Sequence, residues 1–162
     1  MEDYYVKFAE AIARYAHKGQ VDKGGNPYIT HPEFVASRVS TNEEKIVAWL
    51  HDVLEDTDFN REELQRIFGD EIMKALDCVT HRKDESWDDY IERVSTNQIA
   101  IRVKMADLTH NMDLSRIPHP KTDDYVRIAR YKKTYDLLQS RLVYRKNPSL
   151  LLGGRGRHPR GT

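Results

Sequence analysis

The chain has 162 residues, a length that fits one domain with one sizeable hydrophobic core. Hydrophobic residues make up 39% and charged residues 32%, and the 26 basic residues balance the 26 acidic ones. This neutral balance argues against nucleic-acid binding by bulk electrostatics, although a local pocket can still hold a small anion. No apolar run reaches the roughly 20 residues of a membrane span. The single cysteine, Cys78, fits a reducing, cytoplasmic environment.

The first part of the chain predicts a helix, a loop and a second helix. Apolar residues recur at helical spacing over about residues 4–18, and Gly19 ends that helix. The segment is amphipathic and carries acids, so it does not read as a secretory signal. Glycine, asparagine and proline make residues 20–32 a loop. Pro32 suits the first turn of the next helix, which is predicted over about residues 33–39.

The remaining chain predicts more helices and no convincing strand. Thr41 and Glu44 form a capping box that opens a helix with an apolar face. The fold class is therefore all-α, a bundle of about seven or eight helices in a domain over residues 1–145. Residues 146–162 collect Gly, Pro and Arg and are predicted to be a flexible basic tail. Further helices are predicted over about residues 60–68, 70–79, 86–97, 99–112 and 122–144.

The densest group of ionisable side chains is the segment HDVLED, which begins at His51. If the helix persists, Glu55 lies one turn below His51, and Asp56 lies one turn below Asp52. Carboxylates this close repel one another unless a cation lies among them. A divalent metal is the simplest explanation, although a His-Asp dipeptide alone has little specificity.

A metal needs ligands from elsewhere in the chain, and two residues are candidates. His31 follows a loop in the segment YITHP, and Asp107 stands where the apolar pattern of its helix calls for a hydrophobe. Two histidines and two aspartates suit Mn²⁺, Fe²⁺, Co²⁺ or Zn²⁺ better than Ca²⁺. Taken singly, His31 also fits a helix-entry residue, and Asp107 fits a partner of Lys104. For His110, a packing role is favoured over support of the metal site.

Four segments in order, GGNPYITHP, HDVLEDT, IFGDEIMKALDCVT and VKMADLTHNM, resemble the hydrolase domain of the RelA/SpoT alarmone enzymes. The small stand-alone versions of that HD domain are more similar still, and the resemblance runs from about residue 5 to residue 142. It implies an all-helical HD-domain fold. It also implies that one Mn²⁺ is bound by the family's H…HD…D set, which here is His31, His51, Asp52 and Asp107.

The same resemblance implies a reaction, the removal of the 3′-pyrophosphate from guanosine tetra- or pentaphosphate. The family's Glu-Asp pair, which handles the water and its proton, matches Glu55 and Asp56, and its substrate-contacting asparagine matches Asn111. Such a substrate is a small phosphorylated nucleotide, and oligomerisation stays open. Three more residues are candidates for substrate contact, each equally consistent with a surface or packing role: Lys18, Lys23 and Tyr28.

The sequence departs from the family pattern around the substrate. Asp22 stands where the family has an arginine that packs against guanine, and Leu108 and Asp113 replace two basic residues. Because the metal set is intact, this favours retained hydrolysis with an altered nucleotide preference. One alternative is an HD phosphohydrolase that acts on a nucleoside monophosphate or another nucleotide pyrophosphate. Another is a module that senses a nucleotide without turning it over.

Overall fold

A computed structural model describes residues 1–144, and this part of the chain is helical, with one isolated bridge between Val21 and Pro27 as its β-structure. The all-α prediction of seven or eight helices is confirmed. The predicted tail, residues 146–162, lies outside the described residues, so the division at residue 145 stays a prediction. The helices are α1 (Asp3–Ala16), α2 (Thr30–Ser37), α3 (Asn42–Leu50), α4 (Val53–Asp56), α5 (Arg61–Val79), α6 (Trp87–Ser95), α7 (Gln98–Asn111), a 3-10 turn (Leu114–Arg116) and α8 (Thr122–Ser140).

Helices α3 and α7 form the centre of the core. Helix α1 packs on α3, α2 packs on both central helices, and α5, α6 and α8 cover α7. Burial of each large apolar side chain contributes roughly 1.5–3 kcal/mol, so this core fixes where the helix ends meet. Among residues 1–144, no helix combines the length and the apolarity that a membrane crossing requires. The fully buried core side chains include Ile46, Leu50, Leu64, Leu76, Ile101 and Leu108.

Several helix boundaries follow the local signals of the sequence. The capping box is complete: Thr41 Oγ1 accepts from Glu44 N at 3.2 Å, and Glu44 Oε2 accepts from Thr41 N at 2.8 Å. Gly19 follows α1 at a φ of +82°, a conformation that glycine adopts without strain. Gly69, at a φ of +80°, kinks α5, so the two helices predicted on either side of it form one bent element.

The HDVLED segment is not one continuous helix, which differs from the expectation. Helix α3 ends at Leu50, and α4 begins at Val53 after a turn through His51 and Asp52. The His51 side chain competes with the helical ladder, because its Nδ1 donates to the carbonyl of Ala48 at 2.6 Å. Asp56 N still donates to Asp52 O at 2.9 Å, so Asp56 keeps its place one turn after Asp52.

Helix α2 begins earlier than predicted, at Thr30 instead of about residue 33. The Thr30 hydroxyl donates to the carbonyl of Pro27 at 2.8 Å, which ties the helix start to the preceding loop. This start places His31 in the first turn of α2, where it is buried. The side chain of His31 therefore projects from a fixed helix toward α7.

Candidate metal centre and substrate cleft

Four polar side chains from separate parts of the chain meet inside the bundle. His31 comes from α2, His51 and Asp52 from the turn between α3 and α4, and Asp107 from α7. His31 Nε2 lies 2.8 Å from Asp107 Oδ1 and 3.2 Å from His51 Nε2. His51 Nε2 lies 3.0 Å from Asp52 Oδ2 and 3.5 Å from Asp107 Oδ1. These four side chains thus form one compact cluster.

The spacing of these atoms fits the ligand set of a single metal ion. Atoms that each lie about 2.0–2.2 Å from one ion are about 3–3.6 Å from their neighbours in octahedral or tetrahedral geometry. Ligand atoms of His31, His51 and Asp52 all lie within 4.8 Å of one another, and Asp107 contacts both imidazoles. The two imidazole nitrogens face each other at 3.2 Å, and a cation between them would accept a lone pair from each. The described residues thus contain a His/Asp cluster able to bind a divalent metal.

The charges inside the cluster shift its pKa values. Burial lowers the pKa of His51, but Asp52 and Asp107 outweigh burial and raise it well above its ordinary value. Burial raises the pKa of Asp52, but His51 outweighs it and lowers that pKa to about 2. The pKa of Asp107 is also well below its usual range, because Lys104 and the imidazoles outweigh burial. Both aspartates are therefore anionic at neutral pH, as metal ligands must be.

The second nitrogen of each imidazole is held by a partner outside the cluster. His51 Nδ1 donates to Ala48 O, and His31 Nδ1 lies 2.7 Å from His110 Nδ1. Burial and then Arg116 lower the pKa of His110 to about 4, so this ring is neutral and can accept from His31. Both imidazoles therefore turn Nε2 toward the cluster. The sequence favours a packing role for His110, and in the structure His110 lies against His31, a candidate ligand.

Lys104 is a half-buried cation beside the cluster, and the sequence indicates it only as a partner of Asp107. Its Nζ lies 2.8 Å from Asp107 Oδ2, and 5.4 Å and 5.1 Å from the ring centres of Trp87 and Tyr90. Burial lowers the pKa of Lys104, but Asp107 outweighs burial and raises it. The i,i+3 spacing of Lys104 and Asp107 indicates this pair, because residues three apart on a helix are neighbours on its surface.

The predicted acidic pair lies at the mouth of a polar cleft of about 200 Å³ that adjoins the cluster. Partial burial raises the pKa of Glu55, and repulsion by Asp52 and then Asp56 adds to it. Partial burial followed by repulsion from Asp52 likewise raises the pKa of Asp56. The Tyr28 hydroxyl donates to Asp52 Oδ2 at 2.5 Å. The cleft is also lined by His31, His81, Trp87, Tyr90, Lys104, Asp107, Asn111 and Tyr131.

A second cavity of about 340 Å³ continues from this cleft. Tyr28, His31 and Asn111 line both spaces, so a single ligand can occupy both. Lys23 lines the second cavity, whereas Lys18 lines a separate cavity of about 240 Å³ on the other side of Tyr28. Among the lining residues that were not predicted from the sequence are two arginines and an aromatic residue, Arg116, Arg127 and Tyr131.

Comparison with known proteins identifies the family to which this chain belongs. A guanosine-3′,5′-bis(diphosphate) 3′-pyrophosphohydrolase of Haemophilus influenzae is 37% identical over 116 residues, covering 62% of this chain and 17% of that protein. A GTP pyrophosphokinase of Myxococcus xanthus is 32% identical over 150 residues, covering 82% of this chain and 19% of that protein. This chain is a RelA/SpoT-like HD domain. It spans less than a fifth of the length of these curated relatives.

Solved structures support the same fold for this RelA/SpoT-like domain. A metazoan orthologue of SpoT, described as hydrolysing ppGpp, superposes with a TM-score of 0.73 at 22% identity. The match covers 88% of this chain and 89% of that one, so most of the fold is shared. A scan against models of protein families finds no match.

Within this RelA/SpoT-like domain, the departure at Asp22 has a structural explanation. Asp22 Oδ1 accepts from the main-chain nitrogens of Gly24 and Asn26, each at 2.9 Å. Its Oδ2 lies 3.5 Å from Arg116 Nη2. Asp22 therefore closes its own loop and pairs with Arg116, which lies 94 positions later in the chain.

Proposed function

We propose that this domain is a metal-dependent phosphohydrolase that removes the 3′-pyrophosphate from guanosine 3′,5′-bis(diphosphate) or a similar nucleotide. The convergence of His31, His51, Asp52 and Asp107 at one cluster, with acids at the adjoining cleft, carries this proposal. The named activity of the Haemophilus influenzae relative supports the choice of substrate. We propose one divalent ion, most simply Mn²⁺, and a cytoplasmic location.

Two imidazoles and two carboxylates are the proposed metal ligands. Mn²⁺ accepts this mixed nitrogen and oxygen set. When bound, the ion supplies Lewis acidity, which neutralises phosphate charge and lowers the pKa of a coordinated water. Tyr28 holds Asp52 in place through its 2.5 Å hydrogen bond, and Lys104 and Asn111 hold Asp107 at 2.8 and 3.0 Å.

The proposed chemistry is attack of water on the phosphorus that carries the 3′ oxygen of the nucleotide. A new P–O bond forms, the bond from phosphorus to O3′ breaks, and pyrophosphate leaves with the oxygen of the water. Glu55 or Asp56 accepts the proton of the water, and O3′ takes a proton from solvent as its bond to phosphorus breaks. The raised pKa of Glu55 suits this task, because a carboxylate of higher pKa binds the proton more strongly.

The two cavities suggest how the nucleotide lies. The 200 Å³ cleft is polar and adjoins the metal cluster, so we place the pyrophosphate there. The 340 Å³ cavity is lined by the apolar side chain of Ile117 and by the cationic groups Lys23 and Arg116. We therefore place the nucleoside and its 5′ phosphates there. Asn111 lies at the junction and is the proposed contact for the bridging part of the substrate.

A second candidate function is hydrolysis of another nucleotide at the same metal centre. Asp22 favours it, because this carboxylate is committed to its loop and to Arg116 and offers no cationic plane for a guanine base. Under this alternative the metal ligands and the acidic pair keep their roles, and only the base preference changes.

A nucleotide panel distinguishes these functions. The purified chain is stripped of metal, loaded with Mn²⁺ and given guanosine tetra- and pentaphosphate, GTP and nucleoside monophosphates in turn. We expect pyrophosphate from the two 3′-pyrophosphorylated guanosines. Orthophosphate from monophosphates, or pyrophosphate from a different nucleotide, would favour the second candidate. Tight nucleotide binding without any product would instead indicate a sensing module.

A further inference from the structure

The end of α1 is joined to the acidic pair by a chain of side-chain hydrogen bonds. His17 Nδ1 lies 2.8 Å from Gln20 Oε1, and Gln20 Nε2 donates to the main-chain carbonyl of Asp56 at 3.1 Å. Gly19, at a φ of +82°, makes the turn that brings Gln20 back beside His17. This series of hydrogen bonds therefore runs from a buried imidazole, through an amide, to the last residue of α4.

The chemistry of the groups determines which atom donates and which accepts in each of these hydrogen bonds. The carbonyl oxygen of Asp56 can only accept, so the amide nitrogen of Gln20 must face it. The amide oxygen of Gln20 then faces His17, and His17 Nδ1 must carry a proton and donate it. Each bond therefore orients the next.

The buried position of His17 is energetically unfavourable, and packing alone does not explain why a histidine occupies it. The residue is 2% exposed, and its Nε2 is buried without a hydrogen-bond partner among residues 1–144. A buried polar atom without a partner is unfavourable, and most such atoms in folded proteins are paired. The ring packs 5.0 Å from the ring of Tyr28, a contact that phenylalanine would make without this penalty. The contribution of His17 therefore lies in the Nδ1 bond to Gln20.

Helix α4 needs an external support of this kind. It has four residues, too few to be stable alone, and the last carbonyls of any helix lack partners within it. Asp56 is the last residue of this helix, and the Gln20 amide supplies a partner for its carbonyl at 3.1 Å.

We propose that His17 and Gln20 are positioning residues that clamp α4 to the end of α1 and so hold Glu55 and Asp56 beside the reacting water. The inference rests on the proposed phosphohydrolase function. It adds that proton transfer depends on two residues outside the cleft. Neither His17 nor Gln20 lines the 200 Å³ cleft or the 340 Å³ cavity, so both act through α4 and not on the substrate.

The first test replaces Gln20 with an uncharged side chain of similar length, Gln20→Met. With guanosine tetraphosphate and Mn²⁺, we expect kcat to fall about tenfold to a hundredfold, while KM and the Mn²⁺ dissociation constant stay within about twofold. Titration calorimetry measures the Mn²⁺ affinity independently of turnover. Gln139→Met makes the same chemical change on the exposed side of α8 and should leave all three quantities unchanged.

A pair of isosteric variants at His17 sharpens the test. In His17→Asn the amide nitrogen can take the place of Nδ1 and keep the donor to Gln20, whereas in His17→Gln the amide group takes the place of Nε2. We therefore expect His17→Asn to keep most of kcat and His17→Gln to lose about as much as Gln20→Met. A general packing role would affect the two variants alike.

The outcomes separate the inference from the function on which it rests. A wild-type chain that hydrolyses no nucleotide would overturn the proposed function, and the clamp with it. An active wild-type chain whose kcat is unchanged by folded Gln20→Met would overturn the clamp alone. Equal losses in His17→Asn and His17→Gln would also contradict it, and so would a loss of Mn²⁺ affinity equal to the loss of kcat.

Discussion

Two buried carboxylates in this bundle have different kinds of partner. Glu44, 1% exposed at the start of α3, accepts from the main-chain nitrogens of Ser40 and Thr41 at 3.0 and 2.8 Å. Arg102 Nε lies 3.4 Å from its other oxygen. Asp107, 5% exposed in α7, lies instead among the other residues of the metal cluster. Glu44 is thus surrounded by fixed donors.

The surroundings of Asp107 are only partly made of fixed donors. Lys104 and Asn111 donate to it, but its Oδ1 also faces the Nε2 atoms of His31 and His51. Those nitrogens lie 3.2 Å from each other and are acceptors whenever their Nδ1 atoms carry the protons. A buried carboxylate among fixed donors completes a helix start, whereas carboxylates and imidazole lone pairs facing one another form a cation site.

The largest expected effect comes from removing a ligand of the cluster. In Asp52→Ala we expect the Mn²⁺ dissociation constant to rise about a hundredfold or more, and we expect hydrolysis to be lost. This rise in the dissociation constant exceeds the one usual for residues that only support a metal ligand. Calorimetry and the pyrophosphate assay measure the two effects. Asp58→Ala is the matched control, because this carboxylate lies six residues away on the exposed surface. Full activity in Asp52→Ala would remove the metal assignment.

A second effect separates the acidic pair from the metal ligands. In Glu55→Gln we expect kcat to fall about 10²- to 10⁴-fold with Mn²⁺ affinity unchanged, because the amide cannot accept the proton of the water. Since burial and then repulsion by Asp52 raise the pKa of Glu55 above its ordinary value, the wild-type rate should begin to fall at a higher pH than an ordinary glutamate would give. Asp56→Asn removes one repelling charge and should move this acid limb to lower pH.

The raised pKa of Glu55 also predicts a gain in stability for Glu55→Gln. Folding raises this pKa, so the ionised carboxylate destabilises the folded state at a pH above the ordinary pKa of glutamate. The destabilisation disappears as the pH falls below that ordinary pKa, because the carboxyl group is then protonated in both states. The metal-free variant should therefore melt at a higher temperature than the wild type at pH 7, but not at pH 4. Glu62→Gln, on the exposed face of α5, serves as the control. A lower melting temperature at pH 7 would contradict this reasoning.

Local signals made much of this fold predictable. The capping box of Thr41 and Glu44 and the stop at Gly19 depend on neighbours within a few residues, so the sequence displays them directly. The four residues of the metal cluster were candidates by their chemistry, and the resemblance to the RelA/SpoT hydrolase domain joined them into one predicted ligand set. Their roles stay predictions until metal binding is measured.

Features that depend on distant partners were not predictable. At the break after Leu50 the His51 ring turns toward the carbonyl of Ala48, and its other nitrogen meets His31 and Asp107, which come from distant parts of the chain. The Asp22–Arg116 pair joins residues 94 positions apart, and no local pattern indicates that distance. Periodicity records which face of a helix is buried but not which polar groups meet there.

The smallest expected effect on function comes from Glu44, the buried carboxylate at the start of α3. In Glu44→Ala the main-chain nitrogens of Ser40 and Thr41 lose their acceptor, and Arg102 loses an ionic partner. We expect the free energy of unfolding to fall by about 1–3 kcal/mol, measured by urea denaturation, because buried donors are left without a partner. The Mn²⁺ affinity and kcat of the folded fraction should stay at wild-type values. A loss of metal binding at unchanged stability would mean that the two carboxylates do not differ in role, since Glu44 would then act on the cluster and not on its own helix.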